Sequence, residues 1–336
     1  MLATRRRDIA GIAYGFMASK TLFAALEIRL FSLLADGPRT GADLARATGV
    51  AANRLTTLLR ALVALGLLIA DDEGFRNAPA AQRHLVRDAP GDIGEYYRLQ
   101  IGRQIYPALN HLDAGIAGAG VAFAGFTELM GRRDDATTFT VGQHTGSLEV
   151  GRRLAGRLPL ADATTLLDVG SGSGAFSIAF CERHRGLRAT LLDFPQVLDV
   201  ARDYRDAAGL ADRIAFLPGD VTRVDWPRDQ DVVLMSYLVS ALGADEVDGA
   251  LAAAHRSLRP GGLLVVHDFM LDDDGTGPTT TALWFLQYLA WRPDAWSFTG
   301  AELGERLAAA GFVPTPAAEV VAETTKVVLG RKGGAT

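Results

Sequence analysis

The sequence predicts an α/β protein: a mainly α-helical N-terminal half, then a mostly parallel sheet of seven strands covered by helices and closed by a C-terminal β-hairpin. Three observations predict it. Before about residue 155, apolar residues recur at helical spacing. From Ala163 onward, short apolar runs alternate with helical stretches. Those runs are apolar almost throughout, as strands buried on both faces must be.

The 336 residues suffice for two ordinary domains, and 49% hydrophobic with 22% charged residues describes a globular chain. A net charge of -5 argues against the basic field that nucleic acid requires. The single cysteine, Cys181, permits no internal disulfide, and the chain reads as cytoplasmic. Arg5-Arg6-Arg7 before "IAGIAYGFMAS" imitates a signal peptide, but Asp8 interrupts it and helical periodicity continues. No apolar stretch is expected to reach the roughly 20 residues of a membrane span.

Leu22, Phe23, Leu26, Leu30, Leu33 and Leu34 mark a helix with one buried face, ended by Gly37-Pro38. A short helix, a turn at Gly49 and a second helix with Leu55, Leu58, Leu59, Leu62 and Leu65 follow, then a small β-wing around Asp71-Asp72-Glu73-Gly74. That is the order of a winged helix. The second helix carries only Arg54 and Arg60, too little charge to grip DNA, so these apolar helices are expected to pack against a second subunit as a homodimer. The expected domains are residues 1–110, a helical linker over 111–156 with a flexible connection at 115–125, and a sheet domain over 157–336.

In the C-terminal half, "TLLDVG", "RATLLD", "RIAFLP", "DVVLMS" and "GLLVVHDF" are the candidate strands, the last entered by a tight turn at Pro260-Gly261-Gly262. Helices are expected near 175–184, 195–209 and 245–258, and "EVVA" with "KVVLGR" forms the hairpin. Ligands of such sheets bind beyond the carboxyl ends of the strands. Those ends carry Asp168, Asp193, Asp220, Met235-Ser236-Tyr237 and His267-Asp268. After Asp168 come Gly170, Gly172 and Gly174, which suit a tight turn, a backbone bared to a ligand and a helix beginning close to the strand. Read as G-x-G-x-x-A, the loop also fits a dinucleotide fingerprint with Asp193 as its ribose acid. Charge separates the two readings. Asp168 repels a pyrophosphate and suits the ammonium of an amino-acid-bearing nucleoside, and no Lys or Arg lies between Asp168 and Cys181 to offset it.

On these residues the chain resembles the class I S-adenosylmethionine-dependent methyltransferases, with their Rossmann-like sheet. Over nearly its whole length it is similar to the small-molecule O-methyltransferases that carry an N-terminal winged-helix dimerisation domain. The resemblance implies S-adenosylmethionine as cofactor. It assigns "LLDVGSGSG" to the glycine loop, Asp193 in "LLDFP" to the ribose, with Phe194 beside it also in the cofactor site, Asp220-Val221 to the adenine, and Met235 and Ser236 to the sulfonium. It fails at the base: the family's His-Asp pair falls on Ser240 and Ala241, and its second acid on Ser297. Only Asp268 matches an acid at the end of the fifth strand.

A serine is no base unaided. The candidate bases are therefore His267, beside Asp268, and His144 in "VGQHTGS", with alternation along the strand letting only one of His267 and Asp268 face the site. Methyl transfer asks chiefly for alignment and exclusion of water, because the sulfonium is already an activated leaving group. Trp284, Tyr288 and Trp291, with Phe285, give "TTTALWFLQYLAWRPDAW" an aromatic load suited to a flat acceptor. His144, His267 and Asp268 match no ligand spacing, so no metal is assigned. The expected activity is methylation of an aromatic or polyketide-like hydroxyl, with carbon or nitrogen methylation, or cofactor binding without transfer, as alternatives.

Overall fold

The computed structural model describes residues 3–118, 126–290, 292 and 294–334, so part of the connection expected at 115–125 lies outside the described residues, as does Trp291. The chain divides into two compact units, Met1–Gln104 and Ile105–Thr336.

The first unit holds α1 (Arg6–Glu27), α2 (Leu30–Leu33), α3 (Gly41–Thr48), α4 (Ala52–Ala64), the antiparallel wing β1 (Leu68–Asp71) and β2 (Gly74–Asn77), and α5 (Pro79–His84). A π-helical stretch, Tyr96–Ile105, leads out of it. The helix expected to run through Leu34 breaks at Arg29, which takes a left-handed conformation (φ 54°). The N–H groups of Ile28 and Arg29 turn back onto the carbonyls of Ala24 and Leu26, and the bend lets Leu30, Phe31 and Leu34 enter the same core as Leu26, Leu55 and Leu59. Thr40 caps α3 by accepting the Asp43 N–H at 3.2 Å.

The outer half of α1 finds no such core. Ile9, Ile12, Tyr14, Phe16 and Met17 are each more than half exposed. By length and composition α1 is long and apolar enough to cross a membrane, although Lys20 interrupts its apolar run as the sequence indicates.

The second unit begins with α6 (Tyr106–Ala108), α7 (Leu112–Ile116), α8 (Phe126–Gly131) and α9 (Arg133–Ala155), so the stretch expected as a linker belongs to it. Strands β3 (Thr165–Val169), β4 (Arg188–Asp193), β5 (Ile214–Pro218), β6 (Gln230–Ser236) and β7 (Leu258–Phe269) then alternate with α10 (Ala175–Arg183), α11 (Pro195–Ala207) and α12 (Ala244–Ser257). After α13 (Thr279–Leu289) and α14 (Gly300–Ala309) come β8 (Phe312–Pro314), β9 (Ala318–Val321) and β10 (Thr325–Lys332). The sheet runs in the order β5-β4-β3-β6-β7-β10-β8, with β9 paired to β10. It has eight strands among the described residues, one more than expected, because Phe312–Pro314 pairs with β10.

The five central strands are parallel and β10 runs antiparallel to β7. Alternation divides their side chains between two cores. Leu166, Val232, Leu234 and Val265 pack with α9, α10 and α11, while Leu167, Val169, Val233 and Val266 pack with α12, α13 and α14. Pro260-Gly261-Gly262 does not interrupt β7; the register with β6 shifts there instead. At the opposite rim from the strand ends, Asp231 accepts the N–H groups of Thr164 and Thr165 at 2.6 and 3.0 Å and pairs with Arg259, locking the starts of β3, β6 and β7 together.

Candidate active site

The chain leaves β3 through Gly170, Gly172 and Gly174, all at positive φ (68°, 55° and 73°). A Cβ on Gly174 would lie 2.6 Å from Leu191 of β4, and one on Gly170 2.9 Å from Leu238 beyond β6, so both glycines permit close packing. A Cβ on Gly172 would meet nothing within 4 Å: its backbone is bare. Asp193 at the end of β4 fixes the loop. Its Oδ2 accepts the Gly172 N–H at 2.8 Å and its Oδ1 accepts the Phe194 N–H at 2.7 Å.

Asp168 is buried and accepts a hydrogen bond from Ser177 Oγ at 2.7 Å. Burial pushes its carboxyl up to about 7, against that hydrogen bond, and pushes Asp193 up to about 6, against the two backbone N–H groups. No cation stands among the groups that shift them. After β5, Asp220 accepts the N–H and hydroxyl of Thr222 at 2.9 and 2.7 Å and lies 3.4 Å from Arg223. Val221 gives its carbonyl to Trp226 Nε1 at 3.0 Å. Bare backbone at Gly172, the carboxylates of Asp168 and Asp193 with no cation among the groups that shift them, and Ser171 Oγ, buried without a hydrogen-bond partner, together fit a ligand that carries positive charge and a sugar.

His144 reaches this loop from α9. Its Nδ1 is 2.8 Å from Ser173 Oγ and its ring stacks on Tyr204 of α11 at 3.5 Å, 11° from parallel. Burial, aided by Arg152, pushes it down to about 4. The geometry ties the glycine loop to α9 and α11 through this ring.

Successive residues of β7 face opposite sides, and the two candidates there part company. His267 is fully buried, with Nδ1 2.9 Å from Ser236 Oγ, Nε2 2.9 Å from Thr325 Oγ1, and its ring edge-on to Tyr237 at 4.8 Å. Both ring nitrogens are engaged, tying β6, β7 and β10 together, and burial pushes the ring down to about 3. Ser236 is drawn inward by the same bond, and Met235 is fully buried in the core. Both residues close the carboxyl end of β6, the strand end that the resemblance assigned to the sulfonium.

Asp268 belongs to the other face. Its Oδ1 accepts Ser240 Oγ at 2.7 Å and the Phe269 N–H at 2.8 Å, and its Oδ2 accepts the Ser240 N–H at 3.0 Å. Burial pushes it up to about 6 against those donors. Ser240 Oγ also lies 3.1 Å from Tyr288 Oη, which accepts Trp284 Nε1 at 3.3 Å. Trp284 stacks on Phe269 at 4.4 Å, 20° from parallel. Ser297 is exposed and takes no part.

Sequence reasoning missed Ser177 and Thr325, and gave Tyr237 no role beyond its place at a strand end. The first two are ordinary hydroxyls that matter only through strand register and helix placement. Tyr237 follows β6 in a left-handed conformation (φ 55°), its N–H donating to the His267 carbonyl at 2.8 Å. No local pattern announces a tyrosine in that region of backbone space.

Replacing His267 removes two buried hydrogen bonds and leaves a cavity, so His267→Ala is expected to cost about 2–4 kcal/mol at pH 7.5 in urea unfolding. The folded ring titrates far below its unfolded value of about 6.5, so the wild type loses stability as pH falls from about 6.5 toward 3, and the variant lacks that loss. The gap between them therefore narrows at pH 5. A gap that stays constant or widens contradicts the assignment.

Comparison with known proteins gives the family. Residues 120–313 match the O-methyltransferase domain and residues 11–87 the O-methyltransferase dimerisation domain. The tetracenomycin polyketide synthesis 8-O-methyl transferase of Streptomyces glaucescens is 30% identical over 97% of this chain and 96% of its own. The 3-hydroxy-5-methyl-1-naphthoate 3-O-methyltransferase of Streptomyces sahachiroi is 30% identical over 90% of this chain and 88% of its own. The crystal structure of human N-acetylserotonin methyltransferase with S-adenosylmethionine shares the fold at a TM-score of 0.88 and 24% identity, covering 99% of this chain and 100% of that one. The chain belongs to the S-adenosylmethionine-dependent O-methyltransferase family, with the family's dimerisation domain preceding its catalytic domain.

Proposed function

We propose that the acceptor is a hydroxyl on a flat aromatic or polyketide-like molecule, that Asp168, Gly170, Gly172, Asp193, Phe194, Asp220 and Val221 surround the cofactor, and that the enzyme works as a homodimer. The observation that carries the acceptor class is Trp284. Its indole is stacked on Phe269, only half-buried, and tied through Tyr288 to Ser240 and Asp268, which sets a planar apolar wall beside polar groups. The two Streptomyces relatives, named for a tetracenomycin polyketide and a hydroxynaphthoate, support the same class.

When bound, the cofactor supplies a methyl group on positively charged sulfur. The chain's part is to hold it and orient the acceptor. Asp193 keeps acceptor lone pairs beyond the two backbone bonds and can take hydroxyls of the ribose. The bare backbone at Gly172 admits the ligand closely, and Asp168 and Asp193 lower the energy of a cation nearby.

The reading is tested with methyl-labelled cofactor and a panel of naphthols and hydroxyanthraquinones, with products assigned by mass spectrometry and by loss of the phenol's titration. Labelled products that still ionise as phenols would mean carbon methylation and discard it. Cofactor affinity should also follow the rim carboxylates. They are ionised above about pH 7 and become protonated as pH falls through 7 and 6, while the ligand's own ammonium is fully charged below about pH 7. Calorimetry is therefore expected to show affinity weakening about tenfold or more between pH 8 and 5.5. A dissociation constant that does not move with pH removes the rim acids from the site.

The homodimer reading rests on the exposed row Ile9, Ile12, Phe16 and Met17 on α1, inside and beside the matched dimerisation domain. Light scattering of the full chain should give twice the mass of one chain, and Ile12→Glu with Phe16→Glu should shift it toward one. A single-chain mass for the wild type excludes the dimer.

A further inference from the structure

We propose that the acceptor's proton leaves through a relay of hydroxyls, from Tyr288 to Ser240 to the buried carboxylate of Asp268, which stands in for the absent histidine base. The proposal rests on the O-methylation reading above.

The direction of the chain follows from what each group can donate. Ionised Asp268 only accepts, so the Ser240 hydroxyl hydrogen points to Oδ1, at 2.7 Å. Ser240 then has only lone pairs for Tyr288, so the Tyr288 hydrogen points to Ser240 Oγ, at 3.1 Å. Trp284 Nε1 donates to Tyr288 Oη at 3.3 Å and occupies one of its lone pairs. One lone pair remains on Tyr288, free to accept a hydroxyl hydrogen from outside. Exposure runs the same way: Tyr288 is half-buried, Ser240 is 2% exposed and Asp268 is 0% exposed. The groups titrating around Asp268 are Tyr288 and Tyr237, both pushed up by burial and by the Asp268 charge, while His267 on the opposite face is neutral and committed to Ser236 and Thr325.

The step balances. The acceptor's oxygen forms its bond to the methyl carbon as the carbon–sulfur bond breaks with its electron pair left on sulfur. The acceptor's O–H bond breaks; its proton passes to Tyr288 Oη, the Tyr288 proton to Ser240 Oγ, and the Ser240 proton to Asp268 Oδ1. The neutral acid returns the proton to solvent by the reverse path after the ether leaves.

The test compares two probes in single-turnover transfer at pH 8: 1-naphthol, which arrives protonated, and 4-nitro-1-naphthol, which arrives ionised. In Tyr288→Phe and, independently, Ser240→Ala, the ratio of the naphthol rate to the nitronaphtholate rate is expected to fall about 10²-fold relative to wild type. In the same variants the naphthol rate should keep rising with pH toward naphthol's own titration, where the wild-type rate has levelled off. Cofactor affinity by calorimetry confirms that each variant is folded. An unchanged ratio in both variants, with wild type active on both probes, overturns the relay alone. Transfer by the wild type to neither probe overturns the acceptor reading and the relay with it.

Discussion

The carboxylate of Asp193 holds two backbone N–H groups at once, one from Gly172 in the loop after β3 and one from Phe194 at the start of α11. A half-buried carboxylate is stable where donors converge on it, so the loop and the strand end fix each other. With the loop fixed, Gly174 rests against Leu191 and α10 starts at one place, which sets Ser177 against Asp168 and lays Phe176 close to Gly151 of α9. From α9, His144 then closes on Ser173. The half of the rim that surrounds the glycine loop is registered to this one side chain.

The other half depends on alternation along β7. His267 and Asp268 are adjacent in sequence and serve opposite ends: one nitrogen-rich ring knits β6, β7 and β10 together, while the neighbouring carboxylate collects Ser240 and, through it, the aromatic helix α13. Burial drives the two in opposite senses, the histidine toward its neutral form and the acid toward its own. At pH 8 the histidine is therefore neutral while the acid, held by its three donors, still carries its charge.

Much of this was legible because it is local. A strand that is apolar throughout and stops at an acid announces both its burial and its rim, and that rule located Asp168, Asp193 and Asp268. The hairpin over Ala318–Val321 and Thr325–Lys332 was equally readable from two apolar runs and a short polar turn. What escaped was set by distant partners. His267 is an ordinary strand-end histidine until the register of β6 and β10 brings Ser236 and Thr325 to its two nitrogens. The break at Arg29 serves a core that needs Leu30 and Phe31 turned back on themselves, and the three-residue strand at Phe312 exists only because β10 offers it an edge. Periodicity also cannot say which apolar face of α1 has a partner within the chain.

Cys181 sits in α10, fully buried, with its Sγ 3.6 Å from the Leu187 carbonyl and burial pushing its thiol up to about 11. It packs in the same core as the helices that brace the glycine loop. Thiolate chemistry at neutral pH is closed to it while that core is intact. The chain has no second thiol. Uptake of a thiol reagent therefore works as a clock on the catalytic half alone, counting the openings that expose α10.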